Sequence, residues 1–448
     1  MKLLILLEYI FQKILPKSLR KALSKLRIVI YRMLSFLGKP YYAYIRKKQR
    51  KIETELQGKE IVKVAFFAFQ DSIWKYDELF QLMQQHKTFD PIIVVIPYRN
   101  YGQDIMYAEM EKTYKSFISR GYKTVKSFNK EHQTWLDVKK EINPDVIYFT
   151  TPYRLTTPPY LINNYTDRLT AYVPYGIMTI NIEDEQYNQI FHNIAWRCYY
   201  ETPIHEQLAQ KFADNNGKNV LVTGFPGCDL FLDKSYIPKE VWKNKNRAVK
   251  RIIWAPHHTI EASNTMYTYS NFIQYAHFFF SLIESNKGSI QIAFKPHPIL
   301  KLKLYNHPDW GKSKTDDYFE MWNNKPNCQL EEGPYEDLFL TSDALIHDSI
   351  SFISEYCYTG KPSLFMVRDD TVLSKFNEFG DIALKLSYLA RNENDIHHFI
   401  DNAIKNNKDS LAVEREEFVK NILMPKNGKK ASENILNDLL KIIQTNEN

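Results

Sequence analysis

Four cysteines in 448 residues, Cys198, Cys228, Cys328 and Cys357, stand far apart and form no C-x-x-C pair. Neither a zinc-finger pattern nor a disulfide framework can be read from them, and a reducing compartment fits this usage. No run approaches the roughly 18 uncharged apolar residues expected of a spanning helix. The one early apolar stretch is interrupted by Glu8 and leads to no small-residue cleavage site, so a secretory signal is not expected. Also missing are G-x-x-x-x-G-K-[ST] and a G-x-G-x-x-G after a strand, which argues against P-loop ATPases and dinucleotide-fingerprint dehydrogenases. Internal repeats and low-complexity tracts are absent. No Asp-x-Asp pair stands at a strand end, so neither a metal nor any other cofactor is expected.

What is present is charge of two kinds. The formal total is +7, yet residues 1–51 alone hold 14 Lys or Arg against one acid, leaving the remaining body at −6. A strongly basic arm on a mildly acidic body seeks an anionic surface. From Leu19 the apolar residues Leu23, Leu26, Ile30, Met33, Leu34 and Leu37 recur every three or four positions, and Lys21, Lys25, Arg27 and Arg32 fall largely off that side. Residues 1–60 therefore read as a basic amphipathic arm lying in the headgroup plane, with Arg46-Lys47-Lys48 and Arg50-Lys51 adding attraction to anionic lipid. The competing readings are a helix packed on the body and a nucleic-acid arm. The body has no second basic stripe with interleaved aromatics, so nucleic acid is the weakest.

The body reads as α/β, with two doubly wound Rossmann-like halves. Short apolar runs alternate with helices of ten or more residues, the pattern of a parallel sheet covered on both faces. In residues 61–230 strands are expected at Ile61–Phe67, Pro91–Pro97, Tyr122–Phe128, Pro144–Thr150, Leu169–Pro174, Cys198–Glu201 and Asn219–Thr223. Residues 231–250 are polar and lysine-rich, an expected interdomain linker. The rhythm restarts over 251–385, with strands at Arg251–Ala255, Ser289–Phe294, Asn327–Leu330, Ala344–His347 and Ser363–Val367, and a helical tail follows over 386–448. Such halves bind ligands at the carboxyl ends of their strands.

Four clusters follow predicted strands of the second half. Trp254-Ala255-Pro256-His257-His258-Thr259 leaves two imidazoles at a loop, available to phosphate or a substrate hydroxyl. In Lys295-Pro296-His297-Pro298 the flanking prolines hold His297 in an extended turn beside a lysine, suited to phosphate oxygens. His347-Asp348-Ser349-Ile350-Ser351 joins a strand to a helix, where Asp348 or Ser349 caps the helix and free N–H groups and hydroxyls offer an anion site. Glu355, in the first turns of that helix, has the carboxylate that a ribose diol requires, and Gly360-Lys361-Pro362 ends the helix.

Together the strand–APxx, K-P-H-P, the D-x-x-S helix start, and the acidic residue with K-P downstream resemble the CDP-glycerol glycerophosphotransferase family. This family includes the poly(glycerol phosphate) polymerases and primases of teichoic-acid synthesis and relatives in capsule loci. The resemblance covers roughly Ala171–Val367 and is clearest over Ile252–Phe365. It implies a GT-B fold and transfer of an alditol phosphate from CDP-glycerol or a related CDP-alditol to a hydroxyl of a glycan or lipid-linked acceptor, releasing CMP. It further implies a bacterial enzyme peripheral to the cytoplasmic face of the cell membrane.

By the same resemblance His297 matches the K-x-H-P histidine. Asp348, Ser349 and Ser351 match the D-x-S-S turn, with Ile350 where one serine is usual, and Glu355 and Lys361 match the acidic residue and K-P. His297, Ser349 and Ser351 are thus expected on the pyrophosphate with Lys295, Asp348 and Lys361 alongside, and Glu355 on the cytidine ribose. The family's H-G-[ST]-x-x-K element falls at Val173-Pro174-Tyr175-Gly176-Ile177-Met178, where Tyr175 replaces the histidine favoured as base and no lysine follows. His192, His257 or His258 then remain as substitutes, since a phenol is a poor base near neutrality. Two other readings stand beside this one: a GT-B glycosyltransferase using a nucleotide-sugar, and a non-catalytic membrane-docked scaffold.

Overall fold

A computed structural model describes residues 24–99, 102–260 and 268–444, with side chains from residue 38 onward. Residues 24–444 divide into two compact units. The first comprises residues up to Tyr175, Ile182–Pro226 and the C-terminal segment from Ala431, and the second comprises Gly176–Asn181 and Gly227–Lys430.

The first unit carries strands β1 (Val62–Ala68), β2 (Phe89–Val95), β3 (Thr124–Lys126), a small hairpin of β4 (Phe128–Asn129) and β5 (Thr134–Trp135), then β6 (Val146–Phe149), β7 (Leu169–Tyr172), β8 (Arg197–Tyr200) and β9 (Val220–Val222). Seven of them form one sheet ordered β3-β2-β1-β6-β7-β8-β9, all parallel. The near-continuous apolar runs of β1 and β6 follow from burial on both faces, since helices cover each side.

The second unit carries β10 (Lys250–Ala255), β11 (Ile290–Phe294), β12 (Cys328–Leu330), β13 (Ala344–His347), β14 (Ser363–Met366) and β15 (Tyr388–Ala390). Their order is β12-β11-β10-β13-β14-β15, again all parallel. The chain winds outward one way through β11 and β12, then returns to β10's other side for β13. The reversal point lies between β10 and β13, where the crevice outside the carboxyl ends of such sheets opens. Trp254 anchors the core on one face, its ring 4.1 Å from Phe279 and 4.9 Å from Phe294. The short strand β15 has too few apolar residues to stand out in the sequence.

Three boundaries differ from expectation. Residues 231–250 are no free linker: Trp242 is buried and its indole N–H donates to Thr341 Oγ1, and the Tyr236 hydroxyl donates to Asp337. One tryptophan and one tyrosine suffice to dock a lysine-rich stretch that shows no periodicity. The tail is divided, because helix Ala431–Ile443 packs in the first unit, where Asp438 accepts from Arg197 and Tyr199.

The arm is divided as well. Residues 1–23 lie outside the described part, and helix Ser24–Leu56 follows. Its second half packs on the first unit through Tyr42, Ile45, Gln49 and Leu56. Arg46, expected to face lipid, instead donates to the Trp196 carbonyl, while Gln49 donates to the Ile194 carbonyl and the Trp196 indole to Glu53. Lys39, Tyr44, Lys47, Arg50 and Lys51 remain on the exposed side. No described helix is long and apolar enough to cross a membrane.

Candidate functional site

Three adjacent parallel strands end side by side in the second unit: β11 at Phe294, β10 at Ala255 and β13 at His347. Each is followed by one of the clusters singled out in the sequence. Pairing of Trp254 with Phe294 and of Ala255 with His347 places the three loops level with one another. Residues distant in sequence thereby converge at the reversal point of the sheet.

The imidazoles of His257, His258 and His297 meet there, with ring centroids 4.2, 4.3 and 4.8 Å apart. His297 is held by its main chain, its N–H donating to the Pro256 carbonyl and its carbonyl accepting from Leu300 at the start of a short helix, Leu300–Tyr305. Its Nδ1 accepts from the Ile299 N–H at 3.2 Å. His257 Nδ1 is 3.2 Å from Thr259 Oγ1, and His258 Nδ1 is buried without a partner among the described residues. Burial lowers the proton affinity of all three, Lys303 adds to this, and neighbouring imidazoles add to it at His257 and His297. His258 falls to about 4, His297 to about 3 and His257 well below the usual imidazole range. All three rings are therefore neutral at pH 7, with nitrogens free to serve as bases or N–H donors. Their nearest ring nitrogens lie within 4.8 Å of one another, so these are also the residues that could hold a cation. No local sequence pattern announces such a set, because it is assembled from the loops after two separate strands, β10 and β11.

Asp348 has a different role from the phosphate contact expected of it. Its side chain is fully buried, and its oxygens accept from the main-chain N–H of His257 at 2.5 Å and of Asn271 at 2.6 Å. The Asn271 amide adds a longer contact, and itself donates to the Met366 carbonyl. Asp348 thus ties the loop after β10 to the segment before helix Phe272–Tyr275, as an acceptor for the main chain. Burial pushes its carboxyl up to about 7 against the lowering effect of these donors. The hydroxyls of Ser349 and Ser351, by contrast, engage no described residue, and Ser351 stands at the start of helix Phe352–Glu355. The Gly176 segment belongs to this same unit. It is held by Asn377 donating to the Met178 carbonyl, and a Cβ placed on Gly176 would lie 3.7 Å from that of Ser351.

The remaining predicted residues do not join the imidazoles. Lys295 Nζ donates to the Gly333 carbonyl at 2.5 Å, which ties it to the loop beyond β12. Glu355 is buried and accepts from the Tyr335 hydroxyl at 2.5 Å, a partner no local pattern announces. Lys361 is misplaced by the sequence reading altogether. It precedes β14, so in a parallel sheet it lies at the amino edge, opposite His297. Its ammonium caps helix Glu336–Thr341 by donating to the carbonyls of Phe339 and Leu340 at 3.0 and 2.6 Å. Burial lowers its pKa to about 8. Lys361→Met is accordingly expected to leave nucleotide affinity within twofold of wild type by calorimetry.

In the first unit, His192 is buried in helix Ile190–Ile194, where its Nδ1 accepts from the Gln189 N–H as part of the helix cap. Burial lowers its pKa to about 3, and its place among Tyr172 and Phe191 makes it a core residue and no candidate base. Tyr175 is 42% exposed beside Tyr153. A pocket opens at the carboxyl edge of this sheet too, lined by Phe69, Tyr153, Arg154, Asn163, Gln189 and Phe191. Lys303, whose charge acts on all three imidazoles, has no signal in the sequence. In Leu300-Lys301-Leu302-Lys303 it reads as an ordinary solvated helix lysine.

A family model described as CDP-glycerol:poly(glycerophosphate) glycerophosphotransferase matches residues 189–441, more than half of the chain. No curated protein sequence matches. Among solved structures, the S. aureus MnaA–UDP complex is similar with a TM-score of 0.53 at 16% identity, over 86% of this chain and 98% of that one. The UDP-GlcNAc 2-epimerase of Neisseria meningitidis bound to UDP-GlcNAc gives 0.52 at 15%, over 85% and 99%. A variant of the wall teichoic acid polymerase TagF gives 0.52 at 12%, over 91% and 97%. At such identities the likeness is one of fold, two Rossmann-like halves of GT-B type.

Proposed function

The chain belongs to the CDP-glycerol:poly(glycerophosphate) glycerophosphotransferase family, and from that premise we propose that it moves an alditol phosphate, glycerol phosphate in the first instance, from a CDP-activated donor to a hydroxyl of a cell-surface glycan or lipid-linked acceptor. The observation that carries this reading is the meeting of His257, His258 and His297 at the strand ends of the second unit, with the turn that bears Ser349 and Ser351 following the adjacent strand β13.

In this reaction the acceptor oxygen attacks the β-phosphorus, the bond from that phosphorus to the bridging oxygen breaks, and CMP departs. The acceptor proton passes to a neutral imidazole, His258 or His257, as the group with a free nitrogen. The protein's task is positioning and stabilising charge on the non-bridging oxygens. His297, Ser349 and Ser351 supply donors for those oxygens, and Asp348 and Lys295 hold the loops that carry them. The pocket of the first unit, with Arg154 and Asn163 among aromatic rings, suits part of the acceptor. The exposed basic side of the arm helix suits an anionic membrane surface, which would make the protein peripheral to the cytoplasmic face.

A nucleotide-sugar glycosyltransferase is the second reading, favoured by Tyr175 standing where the family histidine is expected. Thermal unfolding against CMP, CDP, UDP, GDP and CDP-glycerol at millimolar concentration separates the two, because a ligand of the folded state raises its stability by mass action. Stabilisation by the cytidine compounds alone is expected, about 2.7 kcal/mol at a hundredfold excess over Kd. A response to UDP or GDP with none to CMP would sink the proposal.

A further inference from the structure

Helix Gly311–Asn324 turns one stripe of side chains, Ser313, Lys314, Asp317, Tyr318 and Met321, toward His277, and with Trp310 they line a second cavity in the second unit. Gly311 enters the helix at φ +66°, a conformation that glycine adopts freely, and Trp310 is buried just before it. The Tyr318 hydroxyl donates to the Ala276 carbonyl at 2.7 Å, which fixes the helix against the segment that carries His277. The rings of Trp310 and His277 are 6.4 Å apart and within 12° of parallel, and Tyr318 stands nearly perpendicular to both, at 5.1 and 6.2 Å. Lys314 lies 4.9 Å over the indole, its ammonium donating to the Asp309 carbonyl. The walls are thus set before any ligand arrives. The cavity measures about 410 Å³, within the range of small-molecule sites, and shares no lining residue with the loops of His257, His258 and His297.

The polar groups of the lining are of both kinds and largely uncommitted. The Ser313 hydroxyl, the Asp317 carboxylate, the His277 ring nitrogens and the Trp310 indole N–H make no hydrogen bond among the described residues. Ser313 and His277 can donate or accept, Asp317 accepts only and Trp310 donates only. The ammonium of Lys314 and the carboxylate of Asp317 balance, so a phosphate would meet Asp317 as a cation would meet Lys314. A ligand suited to this set is uncharged, carries closely spaced hydroxyls that both donate and accept, and has an apolar face to lay against His277 and Met321. We propose that the cavity is a carbohydrate site, separate from the loops where phosphate transfer is placed, and that it takes an uncharged pyranose whose adjacent hydroxyls donate to Asp317. Such a site gives the second unit a hold on a glycan that does not depend on which nucleotide the strand-end loops take.

Saturation-transfer NMR of the full-length protein with glucose, galactose and N-acetylglucosamine at millimolar concentration, and with glycerol as the open-chain control, tests this. At least one pyranose is expected to receive saturation, with a Kd on the order of 1–10 mM for a ring of about a dozen heavy atoms. A saturating amount of CMP or CDP-glycerol should leave that signal in place. Asp317→Ala removes a charged acceptor and should weaken the sugar about tenfold or more. Ser313→Trp, which fills the cavity from an exposed helix position, should abolish the signal. Asp317 is exposed as well, so its variant keeps the test intact should the larger substitution disturb the helix. No pyranose responding above glycerol overturns the site, and so does a response that survives both variants. A signal displaced by CMP would put the sugar in the transfer loops and also overturns it. Binding of glucose 6-phosphate in preference to glucose, lost in Lys314→Ala, overturns the uncharged assignment. Nucleotide binding is read separately in the same samples, so loss of the carbohydrate site leaves the donor reading standing, and refusal of CDP-glycerol leaves the carbohydrate site standing.

Discussion

Asp348→Ala should lower turnover by about 10²-fold or more, since it frees the loop that positions His257 and His258. The carboxyl joins the main chain of His257 to that of Asn271, and no other described side chain accepts from both. A displacement of about 1 Å at the reacting groups is enough for a loss of that size. The effect on stability depends on pH in a direction that can be worked out. Removing the acceptor leaves two main-chain donors unsatisfied, a cost of about 2–5 kcal/mol. Against this, burial raises the Asp348 carboxyl to about 7, so the folded state resists its ionisation. A group raised in the folded state contributes its stability in full below its unfolded value, near 4, and loses it as pH rises through 7. Urea unfolding of wild type and variant at pH 5 and pH 8 should therefore show a large penalty at pH 5 that shrinks markedly by pH 8. A penalty that grows with pH would mean that Asp348 is held as a stabilised carboxylate, and the positioning account would need a charged partner.

The ease of reading this chain varied with how local each signal was. A strand followed by Pro and His is a local signal, and parallel topology does the rest, because every parallel strand delivers its carboxyl end to the same edge. That His257, His258 and His297 share one edge of the sheet is for that reason legible in the sequence. The same rule exposes the error at Lys361: a residue before a strand must lie at the opposite edge, however well its dipeptide matches a motif. Asp348 was found but misassigned, because an Asp between strand and helix looks alike whether it caps, binds phosphate or ties two loops. Only the tertiary position of Asn271 tells them apart. Tyr335 beside Glu355, and Lys303 beside the imidazoles, depend on contacts between elements and leave no periodic trace. The same applies to the docking of residues 231–250, where single aromatics do the work of a pattern. Polarity along a stretch reports solvent contact on average, and one buried Trp242 outweighs it.

His297→Ala should cost about 10²–10³ in kcat, the loss typical of removing one donor to charge that develops in the transition state. Three features concentrate the effect on this residue. Its ring centroid lies within 4.8 Å of both other imidazoles, Pro296 and Pro298 restrict its backbone, and Ile299 fixes its tautomer so that Nε2 bears the proton of the neutral ring. The alanine variant also relieves His257 and His258 of a neighbour, so its fold should persist, with a melting temperature near that of wild type. Cytidine carries no phosphate and should bind the variant unchanged, whereas CDP-glycerol should bind more weakly. His297→Gln offers a side-chain amide in roughly the same place and should recover part of the rate. Tyr175→Phe provides the contrast. The phenol is exposed and poorly basic near neutrality, so its loss should change kcat by less than about tenfold. A collapse of rate in Tyr175→Phe with His297→Ala unaffected would place the chemistry on the other unit, and the imidazole cluster would be left without a catalytic role.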